Sequence, residues 1–128
     1  MTEQEKLDLI SYRIQKAKDT IKEVEILIEN QLWTTSINRL YYACFYATSA
    51  LLLKHDIKAE SHGGTRRMLG LHFVKTGIIS KDLGKFYSDI FDMRHTGDYD
   101  DFVDFTKEDV LDAIIPAREL IEKIETLL

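Results

Sequence analysis

The chain has 128 residues, 45% of them hydrophobic, which is enough for one domain with a real core. One proline and six glycines leave no room for a linker. The single Cys44 excludes an internal disulfide or a four-cysteine zinc site and fits a reducing cytoplasm. A net charge of −5 argues against a general nucleic-acid coating protein.

The polar, acidic start, Met1 to Lys6, lacks the pattern of a signal peptide. Leu7, Ile10, Ile14, Ala17, Ile21, Val24 and Ile28 then step alternately by three and four, an a/d seam that predicts a first helix of about 33 Å at ~1.5 Å per residue. A second helix is expected to start after Thr34 or Thr35, either of which can cap it, and to run to about His55. It is apolar nearly all round (Ile37, Leu40, Tyr41, Cys44, Phe45, Leu51, Leu52), so it belongs at the centre. Its charge-free run from Leu40 to Leu53 is 14 residues, too short to span a bilayer. Residues 55–64 read as a long polar connection that ends in the breaker pair Gly63-Gly64. Met68, Leu69, His72 and Phe73 mark a short third helix ended by Gly77. Ser80 caps a fourth, with Leu83, Phe86, Tyr87, Ile90, Phe91 and Met93, that stops at Gly97. Thr106 to Asp109 form a capping-box variant that opens the last helix, in which Val110, Ile114, Ala117, Ile121, Ile124 and Leu128 keep heptad spacing and Pro116 introduces a kink. No strand alternation persists, so the fold class is all-α.

Chemistry concentrates where the fourth helix ends. Arg94, His95, Asp98 and Tyr99 fall within six positions, groups that bind anions, move protons and stack on bases. Charge is also uneven. Lys54, Lys58, Arg66, Arg67 and Lys75 face only Asp56 and Glu60, a local balance of +3, whereas residues 98–112 carry seven acids and one lysine, a balance of −6. Such opposed stretches either orient neighbouring molecules or place a basic wall beside Arg94. Arg94 and Asp98, four apart, can form a local ion pair. Tyr99 and Phe102 can fold the acidic loop back onto the core, and His95 suits a helix C-terminus. His62, in the longest loop, is the histidine least explained by packing. Tyr41, Tyr42 and Tyr46 fill a core or a dimer seam with hydroxyls bonded to neighbours such as Asn38, while Asn38 and Arg39 make either a buried network or a pocket floor. His95, Asp98, Asp100, Asp101 and Asp104 match no calcium-loop spacing, so no metal site is expected. No cofactor is expected either.

Four motifs in order resemble the HEPN family. They are Asn38-Arg-Leu-Tyr-Tyr42-Ala-Cys-Phe-Tyr46-Ala, the Ser-His62-Gly-Gly segment, Phe73-Val-Lys-Thr-Gly77, and Arg94-x-x-x-Asp98-Tyr99. The likeness runs from about residue 7 to 125. It implies an antiparallel up-and-down four-helix bundle with an additional short helix, usually a homodimer. Its members bind nucleotides or RNA, many as metal-independent ribonucleases, and many pair with a small nucleotidyltransferase in toxin–antitoxin modules. The family's catalytic signature is an Arg followed four to six residues later by a His. Here the positions counted from Arg94 hold Tyr99, Asp100 and Asp101. His95 is adjacent instead, about 100° around a helix from Arg94. The Arg-x4-His-x-Tyr acceptor that partner nucleotidyltransferases modify also lacks its His.

Metal-free RNA cleavage needs a base, an acid and a cation for the strained phosphate. Arg94 supplies the cation, and His95, His62 or Tyr99 would move protons, with Asp98 orienting them. Together these readings give a cytoplasmic nucleotide- or RNA-binding module, one domain over 1–128, acting with a partner protein. Arg94, Asp98, Tyr99, His62, Asn38 and Tyr42 line its ligand site. The alternatives are a ribonuclease built on Arg94 and His95, and a purely structural partner-binding dimer.

Overall fold

A computed structural model describes all residues, 1–128. Five α-helices follow one another: α1 (Glu3–Glu29), α2 (Trp33–Lys54), α3 (His62–Leu69), α4 (Lys81–Tyr99) and α5 (Lys107–Thr126). α3 runs directly into a single π-turn at Gly70–Val74, and there is no strand. No helix is long and apolar enough to cross a membrane.

Cross-helix pairs fix the directions. Arg13 donates to the Ser49 carbonyl at 3.2 Å and Arg39 meets Glu23 at 3.7 Å, so α2 descends as α1 ascends. Lys18 pairs with Glu125 and Arg118 with Glu25 at 2.6 Å, which sets α5 antiparallel to α1. Asn38 reaches Asp98 while Tyr41 packs on Phe91, so α4 is antiparallel to α2. The result is the expected up-and-down bundle with α2 at its centre, packed against α1, α3, α4 and α5. A continuous core of 23 buried residues draws on all five helices, with Tyr41, Tyr87, Ile37, Leu40 and Leu51 among its largest fully buried side chains. The α1 seam holds at Ile10, Ala17, Ile21 and Val24. Leu7, at its outer end, is exposed.

Several boundaries differ from expectation, each for a physical reason. Neither Thr34 nor Thr35 caps α2. The N-cap position is Leu32, without a side-chain bond, and the Thr34 hydroxyl instead accepts from the Phe105 backbone N–H at 3.1 Å. The polar connection is shorter than predicted because Ser61 accepts from the Gly64 N–H at 2.8 Å. That places Gly63 and Gly64 inside the first turn of α3 rather than before it. α4 does not stop at Gly97 but continues to Tyr99. A Cβ at Gly97 would lie 2.8 Å from the Phe105 ring, so this glycine is where the returning 103–106 segment seats itself on the helix. Phe105, half-buried against the core, does the folding back, whereas Tyr99 and Phe102 are exposed. Ser80 caps α4 through the Leu83 N–H, and Thr106 with Asp109 completes the capping box of α5, both as the sequence indicates. α5 remains one helix through Pro116.

Candidate functional site

α2 presents Asn38, Tyr41, Tyr42 and Phe45 at i, i+3, i+4 and i+7, one stripe down its side. α4 lays Arg94 across that stripe. The guanidinium carbon is 4.9 Å from the centre of the Tyr41 ring and 5.6 Å from that of Tyr42, within the range of cation–π attraction. Arg94 is only 7% exposed. Its Nη1 donates to Asp98 at 3.2 Å, and the Asn38 amide donates to both oxygens of the same carboxylate at 3.3 Å. Its Nε is buried without any acceptor. A buried charged donor left unpaired costs free energy, so the Arg94 guanidinium is not fully satisfied within the chain.

α3 supplies the third wall. His62, brought to the first turn of α3 by the Ser61 cap, stacks on Phe45 with ring centres 4.4 Å apart and meets Tyr42 edge-on at 5.7 Å. Its Nδ1 lies 2.6 Å from the Tyr41 hydroxyl. Burial pushes the Tyr41 phenol up to about 12, against the pull of the nearby Arg94 charge, so it keeps its proton at neutral pH. Burial, and secondarily the charge of Arg94, lowers the His62 imidazole below its ordinary value. With the ring neutral and the phenol protonated, Tyr41 O–H donates to Nδ1, which leaves Nε2 carrying the His62 proton as a donor. Arg66, one turn further along α3, reaches Asp92 at 3.3 Å and covers Phe91 at 4.1 Å, so this one residue of the basic stretch flanks α4.

The predicted site residues therefore divide. Arg94, Asp98, Asn38, Tyr42 and His62 come together. His95 and Tyr99 pack on one another instead, ring centres 4.8 Å apart, and both are exposed. Tyr41 and Phe45, treated as core by the sequence reading, hold His62. The stripe spacing on α2 carried that signal, because the same four positions that share a face with Asn38 and Tyr42 include both. No three His, Cys, Asp or Glu side chains converge on a point suited to a metal ion.

An all-α bundle that buries an arginine across two tyrosines, with an imidazole and an amide at its rim, defines a small helical protein with an anion-receptive niche. Residues 10–127 match the family profile described as HEPN domain, and the chain belongs to that family. It is similar to the UPF0332 protein of Thermotoga maritima, 39% identical over all of this chain and 96% of that protein's length. It is also 31% identical to "Putative toxin MJ0605" of Methanocaldococcus jannaschii, over 90% of this chain and 85% of that one.

Proposed function

We propose that residues 1–128 form a single cytoplasmic HEPN domain that binds a nucleotide or a short stretch of RNA. In this reading it acts as a homodimer with a partner protein, most simply a small nucleotidyltransferase, in a toxin–antitoxin type system. The observation that carries the reading is the buried Arg94 guanidinium, its Nε–H without an acceptor, lying against the Tyr41 and Tyr42 rings, with His62 bonded to the same Tyr41. Guanidinium recognises a phosphate, and aromatic faces accept a base without regard to its sequence. Asp98, held by Arg94 and Asn38, is the internal anion that an incoming phosphate would displace or share. The toxin name of one relative supports the biological setting.

His95 packs on Tyr99, so the ribonuclease reading gains support only through His62, a neutral imidazole already hydrogen-bonded and lying in the field of Arg94. The test is binding of a fluorescent RNA oligonucleotide without metal, followed by recovery of the RNA on a gel. Arg94→Met keeps the packing stem and removes the charge. Bound, intact RNA with the wild type and affinity at least about tenfold lower for Arg94→Met is the expected result. Cleaved RNA would favour the ribonuclease reading, and equal affinity of the two proteins would sink the niche as the site.

A further inference from the structure

Further along the same side of α2, beyond Phe45, a cleft of about 600 Å³ opens between α1, α2 and the 57–60 segment. That size suits a small ligand. Leu9, Tyr12, Arg13 and Lys16, at i, i+3, i+4 and i+7, turn one face of α1 into it, and Tyr46, Ser49 and Leu52 of α2 form the opposite wall.

Its charges are unusual for this molecule. Lys6, Lys18, Arg39, Arg66 and Arg94 are each covered by the fold, and each has a carboxylate partner. Arg13 and Lys16 are covered to a like degree and have none. Lys54, the remaining such cation, sits in the last turn of α2, where the helix's own carbonyls offset its charge. Arg13 commits one donor, Nη1, to the Ser49 carbonyl, and burial lowers the guanidinium from its ordinary range. Its Nε and Nη2 edge remains unspent, the edge that matches a carboxylate or phosphate side-on. Lys16 Nζ stands 4.7 Å from the Tyr46 ring centre and 5.7 Å from that of Tyr12. Lys58 at the rim adds a third positive charge against the single acid Glu60. Apolar walls with two unpaired cations on one side describe a receptor for a molecule that is itself apolar with one negative end.

We propose that this cleft is a second ligand site, taking a small organic anion that joins an apolar ring or chain to one phosphate or carboxylate. Arg13 and Lys16 hold the charged end, and the Tyr12 and Tyr46 rings with Leu52 hold the body. The site does not depend on the Arg94 niche.

Calorimetric titration of the purified protein separates the possibilities. AMP serves as a ring bearing phosphate, octanoate as a chain bearing carboxylate, and inorganic phosphate as charge without a body. Each is titrated into wild type, Arg94→Met, Lys16→Met and Tyr12→Ala, with thermal melts to confirm folding. Tyr12 is 61% exposed, so its truncation leaves the core untouched. The expected result is binding of AMP or octanoate that persists in Arg94→Met and weakens about tenfold or more in Lys16→Met and in Tyr12→Ala, with inorganic phosphate far weaker. Which of the two binds identifies the source of the anion. Absence of binding by both, equal binding by inorganic phosphate, or affinity unchanged in both cleft variants would overturn the proposal. Loss in Arg94→Met alone would do so as well, since the ligand would then lie in the niche.

Discussion

Arg94 and His62 show how a residue's neighbours decide its chemistry. Alone in solution an imidazole titrates near 6.5, but His62 is held lower, first by burial and then by the charge of Arg94. The folded protein then binds fewer protons at this ring than the unfolded chain does. Stability associated with the neutral ring is fully present above about pH 6.5, declines as pH falls through that value, and levels off below the folded-state pKa. Urea melts across this range should show a steeper acid loss for wild type than for His62→Asn, and parallel losses would contradict the assignment. In Arg94→Met the His62 resonance should titrate at higher pH than in wild type, read by NMR, because the opposing charge is gone while the burial remains. Tyr41→Phe should leave the core packed but free the imidazole from its 2.6 Å bond, loosening its orientation over Phe45.

At the scale of elements, glycines give the sharpest contrast. A Cβ at Gly84 on α4 would lie 2.8 and 2.9 Å from the two methyls of Val74, at the end of the π-turn, whereas one at Gly70 would meet nothing within 4 Å. Gly70 already has right-handed helical dihedrals, φ −60° and ψ −49°. Gly70→Ala should therefore stabilise by about 0.5–1 kcal/mol through the unfolded chain. Gly84→Ala should destabilise by about 1–3 kcal/mol, because a β-branched neighbour has little room to turn aside. Urea midpoints with unchanged slopes would check both, and the same sign for the two would be contrary to the packing described.

These elements also show what the sequence could and could not display. Ser80 and the Thr106–Asp109 box were legible because a cap is satisfied within three residues of itself. Thr34 was not, since its partner Phe105 is 71 residues away and nothing local announces that its hydroxyl is engaged. Gly97 misled in a related way, being small for the sake of the Phe105 ring, which folds back onto it across a turn, rather than to end a helix. In the site, Arg94 with Asp98 was readable at four-residue spacing. The seating of His62 on Phe45 and Tyr41 required knowing that α3 folds against α2.

For the whole molecule, Cys44 is a built-in reporter. It is fully buried in the central helix, and burial pushes its thiol up to about 12, so it is neither exposed nor ionised in the native state. A chromogenic disulfide reagent should leave it unmodified in native buffer at neutral pH and label it fully in concentrated urea. Native labelling is expected to track global opening, because the middle of α2 is covered by all the other helices. Rapid labelling of the folded protein would mean that the helices part locally.

α2 leans on every other helix of the bundle, and it also furnishes a wall of the niche and a wall of the cleft, with Phe45 reaching both. It has no silent face. A substitution there that reshapes the niche or the cleft also disturbs the core, so new ligand preferences are reached most cheaply from the other sides. Lineages of this protein that diverge in what they bind are accordingly expected to vary in α1, α3 and the end of α4 while α2 stays nearly still. A combinatorial library confined to those three segments should yield more folded variants than one of equal size placed on α2.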